Sequence, residues 1–161
     1  MPHNGAARLI VNEMLDQTGR ALMRNDFGGF LPYFTLPQRI ETIEGRQYVE
    51  TPEDLETLFA SVRTFHRRLG INRIVRSCTQ AEFKTDGSIE GVFKSLFFKD
   101  STLVHRVPAS FVLLQREGGQ WRIGYNMYGI SDSDAFGDAL MHAPPLRQRN
   151  STARHAVPMT P

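Results

Sequence analysis

At 161 residues, with 40 % hydrophobic and 22 % charged residues and a formal charge of +2, the chain suits a single soluble globular domain. From Pro144 onward it carries Arg147, Arg149 and Arg154 but no carboxylate, so the body is near neutral and no nucleic-acid partner is expected. The lone cysteine, Cys78, excludes an intrachain disulfide and a multi-cysteine zinc site; the start is a poor signal peptide and "FVLL" is too short a run for a membrane span, so the expectation is a cytoplasmic protein with no membrane partner.

Residues 6–24 place Leu9, Ile10, Met14, Leu15, Ala21 and Leu22 at helical spacing, with Asn12, Glu13, Asp16, Gln17 and Arg20 opposite, which predicts an amphipathic helix. "RNDFGG" breaks it, and Asn25 or Asp26 can accept from free backbone N–H groups to start a short second helix ending near Phe30. Residues 38–43 and 46–49 read as a hairpin turning at Glu44-Gly45. "TPEDL" then starts a long helix, with Thr51 as cap, Pro52 at the first helical position and Asp54 where a capping box wants a carboxylate. Leu55, Leu58, Phe59, Val62, Phe65 and Leu69 form its apolar stripe, and Gly70 ends it.

Residues 71–83, 88–98, 103–115 and 121–130 are four candidate strands, separated by the turn-forming "KTDG", "KDS" and "REGGQ". Connections this short demand antiparallel neighbours. "SDSDAFGDAL" predicts a short helical turn capped by Ser131 or Asp132. Helices beside an antiparallel sheet make the fold class α+β. Long twisted strands with helices on one side curl into a cone around an apolar hollow. The domain is assigned to residues 1–137, followed by a Pro- and Arg-containing tail, 138–161, expected to be flexible.

Alternation along each strand sorts side chains into two faces. The more apolar and small sets are expected to point inward: Val75, Ser77, Thr79, Ala81 and Phe83; Ile89, Phe93, Ser95 and Phe97; His105, Val107, Ala109, Phe111 and Leu113; Trp121, Ile123, Tyr125 and Met127. Arg76 and Cys78 fall on the outer set. A bulge would reverse everything beyond it, and Pro108 is the expected place for one. The inner polar groups are then Ser77, Thr79, Ser95, His105 and Tyr125, with His66 approaching from the long helix. His105 as general base and Tyr125 as donor to a developing oxyanion make the best catalytic pair on this face. Phe93, Phe97, Phe111, Trp121, Thr79 and Ser95 are the expected ligand-lining residues, with plain core packing as the alternative for the four aromatics.

The order of elements, the "DF" after the first helix, "RIETIEGRQYVETPEDLETLF" and "GGQWRIGYNMYGI" resemble the NTF2-like superfamily, nearest its SnoaL-like and ketosteroid-isomerase-like small proteins. The resemblance implies a cystatin-like cone, in which a curved antiparallel sheet wraps three N-terminal helices. It also implies an apolar pocket and commonly a homodimer through the outer sheet face. Its members include isomerases, dehydratases, cyclases, epoxide hydrolases and non-catalytic domains. In the isomerase relatives a general-base aspartate lies on the first strand. Laying "RIETIEG" on that stretch puts Thr42 at the aspartate, and Glu41 faces the other side of the strand, so the isomerase mechanism does not carry over.

The five histidines show no metal-ligand spacing, "SDSDAFGD" lacks the spacing of a calcium loop, and no Gly-rich phosphate loop occurs, so neither a metal nor a cofactor is expected. The leading expectation is a pocket for a small apolar or aromatic ligand, with isomerisation, dehydration or cyclisation as the chemistry if there is any. The alternative is a non-catalytic dimerisation or partner-binding module whose cone is filled.

Overall fold

The computed structural model describes residues 2–142. Helix α1 (Pro2–Met23) leads through α2 (Phe27–Phe30) and a 3-10 turn (Leu31–Tyr33) to strands β1 (Phe34–Glu41) and β2 (Arg46–Val49). Helix α3 (Pro52–Leu69) precedes β3 (Arg73–Phe83), β4 (Ile89–Lys99), β5 (Thr102–Glu117) and β6 (Gln120–Tyr128), and α4 (Ala135–Met141) follows. The α+β class holds. Helix α4 carries the packed body through Met141, with Ala139 and Leu140 buried, four residues past the boundary expected at 137. Most of the expected tail, residues 143–161, lies outside the described residues.

The six strands form one sheet in the order β2-β1-β6-β5-β4-β3. The three turns from β3 to β6 give antiparallel pairs, but β1 pairs β6 in parallel, so the sheet is mixed rather than wholly antiparallel. The short-turn argument does not reach this pair, because β2, α3 and three strands separate β1 from β6 in the chain. Closing β1 onto β6 bends the sheet around α1 and α3.

Local chemistry sets α3 as expected. Thr51 Oγ1 accepts from Asp54 N at 3.1 Å, and Asp54 Oδ2 accepts from Glu50 N at 3.2 Å. Gly70 ends the helix at φ 68°, in the left-handed region. Leu55, Leu58, Phe59, Val62 and Phe65 are buried on its inner face, worth roughly 7–15 kcal/mol in gross transfer energy before entropy is charged. Helix α1 lies on the other end of the sheet. There Val11 approaches β4 so closely that a Cβ on Gly91 would stand 3.1 Å from its methyl. The core accordingly has two parts, one under α3 and α4 and one under α1.

Three of the five register shifts in the sheet reassign side chains singled out from the sequence. On β3 the pairing moves from Cys78–Phe93 to Gln80–Val92, leaving Thr79 as the extra residue. On β5 it moves from Val107–Ser95 to Ser110–Phe93, which bulges Pro108 and Ala109. On β6 it moves from Ile123–Leu114 to Tyr125–Leu113, with Gly124 extra. Cys78 and Ala81 are therefore both buried, as are Val107 and Ser110, and Ile123 and Asn126. The inward assignments of Thr79, Phe111 and Tyr125 are corrected by these shifts. Those of Val75 and Ser77 are corrected by parity, since Ile74, Arg76 and Cys78 occupy the inner positions.

The stretch aligned with the isomerase aspartate has a structural task. Thr42 Oγ1 donates to Asp132 Oδ1, Gly45 N donates to Thr42 Oγ1 at 3.1 Å, and Ile43 N donates to Ile130 O at 2.9 Å. These bonds lock the β1–β2 turn to the segment after β6.

Candidate functional site

A cavity of about 60 Å³ lies inside the cone, where α1, α3 and α4 meet β1, β3, β4 and β6. Its walls are mainly apolar, among them Leu22, Phe30, Ile40, Phe59, Val62 and Phe97. Set into them are Gln38, His66, Arg76, Ser95, Asn126 and Tyr128. Alternation on β1 turns Gln38 inward with Ile40, while α3 presents His66 next to Phe65 on its buried face.

These polar groups are incompletely satisfied. Gln38 Nε2 donates to Asn126 Oδ1 at 2.9 Å, whereas Gln38 Oε1 has no partner. His66 is only 3 % exposed, and neither ring nitrogen has a partner. Burial lowers its pKa from 6.5 to about 4, aided by the positive charges of Arg63 and Arg76, so the imidazole is neutral at pH 7. Arg76, half-buried, donates through Nη2 to Thr18 Oγ1 at 2.6 Å and to the Leu15 carbonyl on α1. Burial lowers the Arg76 pKa and raises that of the half-buried Tyr128 phenol, which Arg76 partly offsets.

Of the residues singled out from the sequence, Ser95 and Phe97 line the cavity. Phe93 is fully buried under α1, its ring 6.2 Å from that of Tyr128. His105 stands behind Phe97, its ring 5.4 Å from that of Phe65 and 5.9 Å from that of Phe97, with Nε2 2.9 Å from Asp134 Oδ1. Trp121 sits at the margin of the sheet against Phe83, with Arg116 5.6 Å above its ring. Thr79 is exposed.

Tyr125 and Phe111 share the outer face, their rings 5.8 Å apart. The Tyr125 hydroxyl donates to Glu41 Oε1 at 2.9 Å, and Glu41 Oε2 also receives Arg39 at 2.9 Å and Arg46 at 3.2 Å. Burial, and next the bond to Glu41, raise the Tyr125 pKa. His105 and Tyr125 thus lie on opposite faces of the sheet and form no pair. The bulge at Gly124 is the reason.

Gln38, Arg76, Asn126 and Tyr128 were not anticipated in the cavity. For β3 the usable signal was parity, since Arg76 alternates with the apolar Ile74 and with Cys78. Cys78 itself is buried with its thiol pKa raised by that burial, the opposite of an activated nucleophile.

No family model matches the chain, and no curated protein matches it. Solved structures do. An NTF-2-like protein of unknown function from Shewanella oneidensis superimposes with a TM-score of 0.55 at 7 % identity, covering 74 % of this chain and 96 % of that one. The fold is NTF2-like. A cystatin-like domain of unknown function from Nostoc punctiforme gives 0.58 at 10 % identity and covers 96 % of both chains. A protein described as a putative aromatic ring hydroxylase from Novosphingobium aromaticivorans gives 0.55 at 14 % identity, covering 81 % of this chain and 96 % of that one. At such identities the NTF2-like likeness concerns the fold alone. Among the described residues no helix is long and apolar enough to cross a membrane.

Proposed function

We propose that this chain binds a small molecule inside its NTF2-like cone, in the cavity between His66 and the Gln38–Asn126 pair. The observation that carries this reading is the orphaned state of His66 and of Gln38 Oε1, buried beside empty space. A buried polar group without a partner costs about 1–3 kcal/mol. A ligand that hydrogen-bonds to these atoms recovers that cost, while the apolar walls hold its hydrocarbon part.

The chemistry that suits the site is proton transfer within the bound molecule. His66, neutral and unpartnered, takes a proton, and the Tyr128 hydroxyl supports the oxyanion that develops. Return of the proton at another position completes an isomerisation with no net change in protonation. A thermal-shift screen of small polar compounds tests the binding claim, because a ligand of the native state raises apparent stability. Hits should vanish in Ser95→Met, whose side chain occupies the cavity. Hits that persist there place binding elsewhere and contradict the reading.

The second reading, a homodimer through the outer sheet face, draws on the half-buried Phe111, Tyr125 and Met127 and the exposed Tyr48 on that side. Sedimentation equilibrium tests it, and a strict monomer at micromolar concentration counts against it.

A further inference from the structure

We propose that the ligand of the cone is a small monocarboxylate, its carboxylate held by Arg76 and its short hydrocarbon part lodged against the apolar wall. This rests on the reading of the cavity as a binding site and adds the chemical class. The cavity lining contains one permanent cation, Arg76, and no Asp or Glu. Arg76 is spent on two neutral acceptors, the Leu15 carbonyl and Thr18 Oγ1, and among the described residues no carboxylate forms an ion pair with it. The acid within electrostatic reach, Asp16, is already paired to Arg20 at 3.0 Å. The unpartnered His66 imidazole and Tyr128 belong to the same lining, and both feel the charge of Arg76.

A guanidinium left among neutral partners in a confined space is completed by a planar anion that matches its fork, and a carboxylate does this with two parallel bonds. The imidazole and phenol of the same lining supply further donors.

The approach to Arg76 is also basic. Leu15, Ile74 and Arg76 line the inner cavity and, equally, an open groove between α1 and the start of β3. Arg20, Arg24 and Arg73 border that groove, with Asp16 as its one acid. Arg76 therefore stands at the partition between interior and surface, where a positive rim raises the local concentration of an anion. Size restricts the ligand further. An apolar cavity of about 150 Å³ takes a benzene ring, so about 60 Å³ admits a hydrocarbon part of only one or two carbons.

The test is an amide-resolved NMR titration of the full chain at constant ionic strength with acetate, acetamide and ethanol. It is run on wild type, Arg76→Gln and Arg76→Lys. Acetate should bind roughly tenfold more tightly than acetamide to wild type, shifting the resonances of Ser95 and Asn126. Arg76→Gln should remove that preference, and Arg76→Lys should keep a preference for the acid. Should Arg76→Gln fail to fold, the acid-to-amide ratio of wild type and of Arg76→Lys decides. Equal binding of acid and amide, or acid binding indifferent to Arg76→Gln, overturns the carboxylate assignment while the cavity stands as a binding site. If none of the three probes moves a cavity resonance, both proposals fall.

Discussion

His105 Nε2 lies 2.9 Å from Asp134 Oδ1, and that same carboxylate oxygen accepts the Phe136 N–H at 2.8 Å. One side chain therefore both caps α4 and fastens it to β5. Helix α4 supplies Phe136 and Leu140 to the cavity wall, and Ser61 Oγ adds a bond of 2.6 Å to the Ala139 carbonyl. Asp134→Ala should cost about 1–2 kcal/mol in denaturant unfolding, the range for losing a helix cap together with a partly buried polar contact. Amide exchange in α4 should quicken before that in α3. Unchanged stability and exchange would remove the clamp from this account.

The burial of His66 makes stability depend on pH in a defined direction. Its pKa is about 4 in the folded chain and 6.5 as the unperturbed reference, so between these values the unfolded state binds more protons. The contribution is intact above pH 6.5 and is lost as pH falls toward 4. The unfolding free energy should drop by about 3 kcal/mol over that window on account of this residue. His66→Phe, which cannot be protonated, should flatten the profile relative to wild type. Parallel profiles in the two proteins would show that His66 is not held neutral.

Gln38 and Asn126 form the polar seam joining the parallel strands β1 and β6 beneath the cavity. Gln38→Leu strands Asn126 Oδ1, and Asn126→Leu strands Gln38 Nε2. Each single change should cost about 1–3 kcal/mol, and the double variant should cost less than their sum. Additive losses would mean that the two amides are not coupled.

Tyr125 belongs to the outer-face network with Glu41, Arg39 and Arg46, with the Arg39 guanidinium 4.5 Å from its ring centre. Tyr125→Phe removes one bond in a half-exposed ion-pair cluster, so stability should change by less than about 1 kcal/mol. Ligand affinity in the cone should be unchanged, which isothermal titration with any ligand found by screening will show. A loss of affinity would return Tyr125 to the site.

Helices and strands were legible because their signals are local. The caps at Thr51 and Gly70, the stripe on α3 and the turns at "KTDG" and "REGGQ" each act within a few residues. The facing of strand residues was not, since one extra residue reverses every position that follows. The shift near Pro108 carried a warning in the proline itself. Those at Thr79 and Gly124 carried none, and the second of them exchanged Tyr125 for Asn126 and Tyr128 inside the cone.

Arg76 was misplaced for another reason. Ranking faces by polarity sends an arginine outward, yet here it faces in, held by the α1 carbonyl of Leu15. A residue that breaks the local rule without a charged partner is where function is to be sought. The parallel β1–β6 pair escaped because no short connection links those strands.

The most direct measurement is chemical-shift mapping of the first ligand found by screening, with side-chain amides included. The Gln38 and Asn126 amide groups and the Ser95 backbone should move together at saturation, while Phe111 and Tyr125 stay still. Shifts confined to the outer sheet face, with the Gln38 and Asn126 amides unmoved, would contradict the claim that this cone is built to hold a small molecule.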